Sequence, residues 1–157
     1  MGEKFKFFIC TAGWLGLSPY FPGSCGALLG VGFHLSVAYF TPHHYHKWFL
    51  IAGCLSVSIA LFSLNSWAES YWGEEDSKHF VLDEVAGYLV VPIFFDKGEP
   101  WQIALFGYLL FRIFDIIKIP PAKQIDQKMK NAAGVLLDDI VSALYAVAVM
   151  YIGSVVI

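Results

Sequence analysis

Four long apolar runs divide the chain, at residues 25–40, 48–67, 101–117 and 140–157. A membrane-spanning helix needs about 20 predominantly apolar residues, so the second and fourth runs are long enough to cross a bilayer unaided. A fifth run, 85–95, contains Pro92 and follows Asp83-Glu84 directly. It fits a short or tilted span, a re-entrant segment, or a helix buried among the others. The connections are brief, and none has the composition of an interdomain linker. The pattern predicts an all-α fold, a polytopic membrane helical bundle of about four to five transmembrane helices, one short or re-entrant, in a single integral-membrane domain over residues 1–157.

Lysine placement sets an orientation if all five runs cross and the N-terminus lies inside. Lys4, Lys6, Lys78, Lys118, Lys123, Lys128 and Lys130 then fall on the cytoplasmic side, and only Lys47 and Lys97 outside. Trp48, Trp67, Trp72 and Trp101 sit near run ends, at headgroup level. Gly26 and Gly30 form a small-xxx-small pair that lets two helices approach closely.

Composition agrees. Apolar residues make up 57% and charged residues 15% of the chain, with a mean hydropathy of +0.60; a soluble domain carries about 25% charged residues. Disordered tails, disulfide scaffolds and coiled coils are excluded. Ten basic and thirteen acidic residues give a net charge of −3 with no long block of either sign, so no nucleic-acid partner is expected. Cys10, Cys25 and Cys54 form no CxxC pair and read as packing residues. Lys4 and Lys6 precede an apolar stretch, but Gly13, Gly16, Ser18 and Pro19 break it, so a cleaved signal peptide is not expected, and Pro22 stands where a lipoprotein site wants a Leu-like residue.

In so apolar a chain the informative residues are ionisable groups within or at the ends of apolar runs, each costing about 2.5 to 3.5 kcal/mol at a helix centre. There are three such groups: Asp83-Glu84, opening the short run; Arg112, Asp115 and Lys118, closing the third long run; and Asp138-Asp139, opening the last. The orientation drawn from lysines puts all three on one side of the membrane. Arg112, Asp115 and Lys118 are spaced three apart and share a helix face. Gly87, one turn after Asp83-Glu84, leaves room for a close neighbour. Five carboxylates against two basic groups leave a negative surplus that calls for a cation or raised carboxylate pKa values. Carboxylates without His or Cys suit a hard ion such as Mg²⁺, which commonly also binds phosphate. Arg112 and Lys118 are residue types that hold phosphate oxygens. Each group alone has a structural explanation, as a helix-dipole complement or an ion pair between spans; their convergence points to a site. Ser18, Gly23 and Ser24, in a Gly/Pro-rich turn before a helix, supply a generic anion site. His43, His44 and His46 fall on the opposite side, and Glu74, Glu75 and Asp76 read as a solvated loop.

Residues 18–26 (SPYFPGSCG), Asp83-Glu84 with Gly87, residues 111–118 (FRIFDIIK) with Pro120 and Pro121, Asp126, and Gly134 through Asp138-Asp139 resemble, in that order, bacterial phosphatidylglycerophosphatase A. The resemblance covers nearly the whole chain. It implies a multi-pass, Mg²⁺-dependent lipid phosphatase of the bacterial inner membrane, active site facing the cytoplasm, converting phosphatidylglycerophosphate to phosphatidylglycerol and phosphate. Asp83, Glu84, Asp138 and Asp139, with Asp115, would hold one or two Mg²⁺ ions, and Arg112 and Lys118 would neutralise the phosphoryl group. Attack by water and attack by Asp115, Asp138 or Asp139 both remain open. The sequence departs from the family pattern at Lys118-Ile119-Pro120-Pro121, at Ser24 and at Gln127, and the last makes Asp126 a secondary candidate. Arg112 is the only arginine and no cysteine lies six residues before it, which excludes a Cys-x5-Arg phosphatase; no DxDx[TV] motif occurs. The alternatives are a small cation- or proton-coupled transporter using the same carboxylates, and a non-catalytic membrane subunit whose charges pair with a partner's.

Overall fold

The computed structural model describes residues 2–75 and 77–156. Among them are helices α1 (Glu3–Cys10), α2 (Pro22–Phe40), α3 (His46–Trp72), α4 (Leu82–Phe94), α5 (Pro100–Ile117), α6 (Ala122–Lys128) and α7 (Ala132–Val156), with 3-10 turns at Leu15–Leu17 and His43–Tyr45. The described residues contain no strand. Four segments are long and apolar enough to cross a membrane: Pro22–Phe40, His43–Trp72, Pro100–Ile117 and Ala132–Ser154. Leu28, Leu29, Leu55, Ile59, Phe62, Leu105, Phe106 and Leu109 stay exposed on them, as expected of helices that face lipid.

The short run became a helix enclosed by the others. At a rise of 1.5 Å per residue, the 13 residues of α4 reach about 20 Å, short of the roughly 30 Å hydrocarbon core. Leu82, Asp83 and every residue from Val85 to Pro92 are buried, because α2, α3, α5 and α7 all pack on it. An all-round apolar helix is stable only in such a position. Pro92 lies in the last turn, so little helix follows the hydrogen bond that its ring removes, and the chain extends at Phe95.

Two close approaches seat the start of α4. A Cβ on Gly26 would stand 2.5 Å from that of Val81, and one on Gly30 would stand 2.9 Å from the Tyr88 ring, so this pair joins α2 to α4. The Val81 N–H donates to the Cys10 carbonyl at 3.1 Å. Helix α1 in turn packs Phe7 on Tyr71 and Trp72 at the end of α3. Asp83 and Glu84 therefore open a helix whose entry is fixed by α1, α2 and α3.

The last run starts earlier than its apolar pattern indicates. Helix α7 begins at Ala132, eight residues before Ile140, and its first turn holds no acidic residue. Asp138 and Asp139 thus lie in its second turn, too far in to serve as dipole complements.

Candidate active site

Three helix ends meet at one end of the bundle. Helix α4 brings Asp83 and Glu84 from its first turn, α7 brings Asp138 and Asp139, and α5 brings Arg112, Asp115 and, as its C-cap, Lys118. Carboxylate oxygens of Asp83, Glu84 and Asp139 all lie within 4.8 Å of one another, as do those of Asp115, Asp138 and Asp139. Asp139 belongs to both triads and is 2% exposed.

The cations present do not satisfy this cluster. Arg112 pairs through Nη1 with Asp115 at 2.5 Å and donates from Nε to Ser24 Oγ at 3.1 Å. Tyr108 Oη donates to the Ser24 carbonyl at 3.1 Å, fixing the first turn of α2 to α5. Lys118 Nζ donates to Asp126 Oδ1 at 2.8 Å and to Asp138 Oδ2. Burial alone would lower the Lys118 pKa, but the hydrogen bonds to Asp126 and Asp138, and their charges, raise it above its ordinary value. Glu84 Oε2, Asp138 Oδ1 and Asp139 Oδ2 are buried without a hydrogen-bond partner. Buried anionic oxygens in that state are costly unless an ion or ordered water completes them. An all-oxygen donor set of this kind is compatible with a hard divalent cation.

A cavity of about 220 Å³ opens over the cluster, lined by seven carboxylates (Asp83, Glu84, Asp115, Asp138, Asp139, Asp126 and Glu75) and by Lys78, Lys118 and Lys130. The structure therefore brings together Asp83, Glu84, Asp115, Lys118, Asp138 and Asp139 around one space. Arg112, Gly23 and Ser24 adjoin it from behind without lining it: a Cβ on Gly23 would stand 2.0 Å from Glu84 Oε1 and 3.1 Å from Arg112 Nη2. Ser18 is not part of it, because its Oγ donates to the Tyr20 carbonyl at 2.8 Å within its own loop.

Sequence reasoning missed the rim. Lys78 and Lys130 had served only to set orientation, yet each lies in a loop leading into an acidic pair, which was the available signal. Glu75 is exposed as expected of a solvated loop but also lines the cavity, while Asp76 lies outside the described residues. Among the described residues the two carboxylate triads are the clusters able to hold a metal; His46 instead bonds through Nε2 to the Thr41 carbonyl at 2.9 Å. Away from this end, the buried polar pair is His34 and Tyr88, which bond each other at 2.9 Å.

Known proteins resemble the chain along most of its length. The sequence model of the phosphatidylglycerophosphatase A family matches residues 8–154. A phosphatidylglycerophosphatase A of Escherichia coli K12 is 26% identical over 136 residues, covering 87% of this chain and 76% of that protein. One of Haemophilus influenzae is 37% identical over 79 residues, 50% of this chain and 48% of that protein. A Bacteroides thetaiotaomicron protein, provisionally named a phosphatidylinositol-3-phosphatase, is 30% identical over 132 residues, 83% of this chain and 82% of its own length. No solved structure matches the chain.

Proposed function

The chain belongs to the phosphatidylglycerophosphatase A family of lipid phosphatases, and on that premise we propose that it hydrolyses the terminal phosphate of phosphatidylglycerophosphate with the help of Mg²⁺ held by the Asp139 cluster. The observation that carries this reading is buried Asp139 itself, common to two carboxylate triads and with Oδ2 unpartnered.

A phosphomonoester carries roughly −1.5 to −2 charges at neutral pH, so a cavity with seven carboxylates and three lysines repels it unless a cation intervenes. Asp83, Glu84 and Asp139 would hold one ion, and Asp115, Asp138 and Asp139 a second. Bound there, Mg²⁺ supplies charge neutralisation on the phosphoryl oxygens and lowers the pKa of a coordinated water. The protein's own groups do the rest. Lys118 keeps Asp138 in place and offers positive charge at the cavity wall. Arg112 orients Asp115 from behind while anchored on Ser24. In the hydrolysis, an incoming water oxygen bonds to phosphorus and the bond from phosphorus to the glycerol oxygen breaks. A cluster carboxylate takes the water's proton and passes it on to the glycerol oxygen as that oxygen leaves.

The acyl chains would stay in the bilayer while the headgroup enters the cavity. The position of the lysines supports a site facing the cytoplasm, since seven lie at this end of the helices and Lys47 and Lys97 at the other, and the bacterial relatives support an inner-membrane location. A transporter would continue its polar path across the bundle; His34 and Tyr88, engaged with each other, do not extend one.

The test is phosphate release by the purified protein from phosphatidylglycerophosphate in detergent micelles, with phosphatidylglycerol identified by mass spectrometry. Stoichiometric release of both products is expected. No release from this or any other lipid phosphomonoester would overturn the reading and favour the transporter.

A further inference from the structure

The mouth of the cavity differs in charge from its floor. The floor is made by buried Asp83, Asp115, Asp138 and Asp139. At the rim stand Lys78, in the loop between α3 and α4, and Lys130, in the turn between α6 and α7. Both are exposed, and among the described residues neither makes an ion pair. Lys118, by contrast, is committed to Asp126 and Asp138. The other charged rim groups are Glu75, on the same loop as Lys78, and Asp126, already held by Lys118.

We propose that Lys78 and Lys130 form a second anion subsite, which holds the phosphodiester of a two-phosphate lipid headgroup while the terminal phosphomonoester occupies the carboxylate floor. This rests on the substrate proposed above, whose headgroup joins a phosphodiester to a phosphomonoester through glycerol. The cavity's volume of about 220 Å³ is below the roughly 300 to 1,000 Å³ of sites that enclose drug-sized ligands, so the headgroup's outer end fills it and the diester stays at the mouth. A diester keeps one negative charge at all physiological pH values. On the floor it would compete with the monoester for the same cations; at the rim it meets two uncommitted ammonium groups. Lysine suits this place, as a point charge on a flexible stem that adapts to a lipid held partly by the bilayer. The subsite makes the enzyme a reader of headgroup length: a lipid whose monoester sits directly on diacylglycerol cannot reach both places.

The experiment uses the full chain in neutral-detergent micelles, which removes any anionic lipid surface that the rim lysines would otherwise sense. It compares kcat and KM for phosphatidylglycerophosphate and for phosphatidic acid with the same acyl chains, in wild type, Lys78→Gln, Lys130→Gln, the double Gln variant and the double Arg variant. Exposed charge pairs are individually weak. Each single change should therefore raise KM for phosphatidylglycerophosphate about threefold, and the double Gln variant on the order of tenfold, with kcat little affected. The wild type's preference for phosphatidylglycerophosphate over phosphatidic acid should shrink by the same factor, and the double Arg variant should restore most of it. Equal losses on both lipids, a loss in kcat alone, or a wild type that does not discriminate between them would overturn the subsite and leave the phosphatase reading standing. A wild type that hydrolyses neither lipid would overturn that reading, and the subsite with it.

Discussion

Gly23 and Glu84 touch across the α2 to α4 contact so closely that a Cβ on Gly23 would lie 2.0 Å from Glu84 Oε1. The obstructed atom is the end of a flexible side chain, so Gly23→Ala should displace the carboxylate rather than part the helices. Activity should fall about a hundredfold, as expected when a catalytic group moves by an ångström, while the melting temperature changes little. Assay and thermal melt on the same preparation check this, and a melt that collapses with the activity would contradict it.

Gly87→Ala should act in the opposite way. Its Cβ would meet Asp139 Cβ at 2.9 Å and the Phe111 ring at 2.9 and 3.0 Å, in the buried contact of α4 with α5 and α7. Overpacking of this kind costs about 1–3 kcal/mol, read as a lowered melting temperature whether or not metal is present.

Lys118→Met should expose the cost of leaving Asp138 and Asp126 without their cation. Lys118 gains its partners on folding and is held above its ordinary value of 10.5 despite the opposing effect of burial. A group raised in this way contributes fully below its unfolded pKa and loses that contribution only as pH rises through the folded one. In EDTA, the variant should therefore melt several degrees below wild type at pH 7 and at pH 9 alike, with the gap closing only in strongly alkaline solution. A gap that closes near neutrality would show that another group carries the effect.

Much of this was legible in the sequence because charge is scarce in it. Asp83-Glu84 and Asp115 stood out against apolar surroundings, and their common end of the bundle followed from lysine placement. The start of α7 was less legible, since Asn131 through Val135 carry no long apolar run, and its helix forms there by packing and by Gly134 N–H donation to Asn131 Oδ1 at 2.9 Å. The direction of Arg112 could not be read either. It depends on Ser24, 88 positions away, a contact that only the close approach of α2 and α5 creates. Rim residues such as Lys78 escaped because a loop lysine has the same local pattern whether it faces a cavity or open solvent.

The account depends most on Asp139, and metal-dependent phosphate release tests it most directly. Wild type and Asp139→Asn are stripped with EDTA, then assayed on phosphatidylglycerophosphate across a Mg²⁺ titration, with circular dichroism to verify the fold. Wild type should be silent without metal and recover with Mg²⁺, and the variant should stay helical yet remain at least about a hundredfold less active at saturating Mg²⁺. Full activity in EDTA, or a variant that matches wild type, would contradict a metal site centred on Asp139.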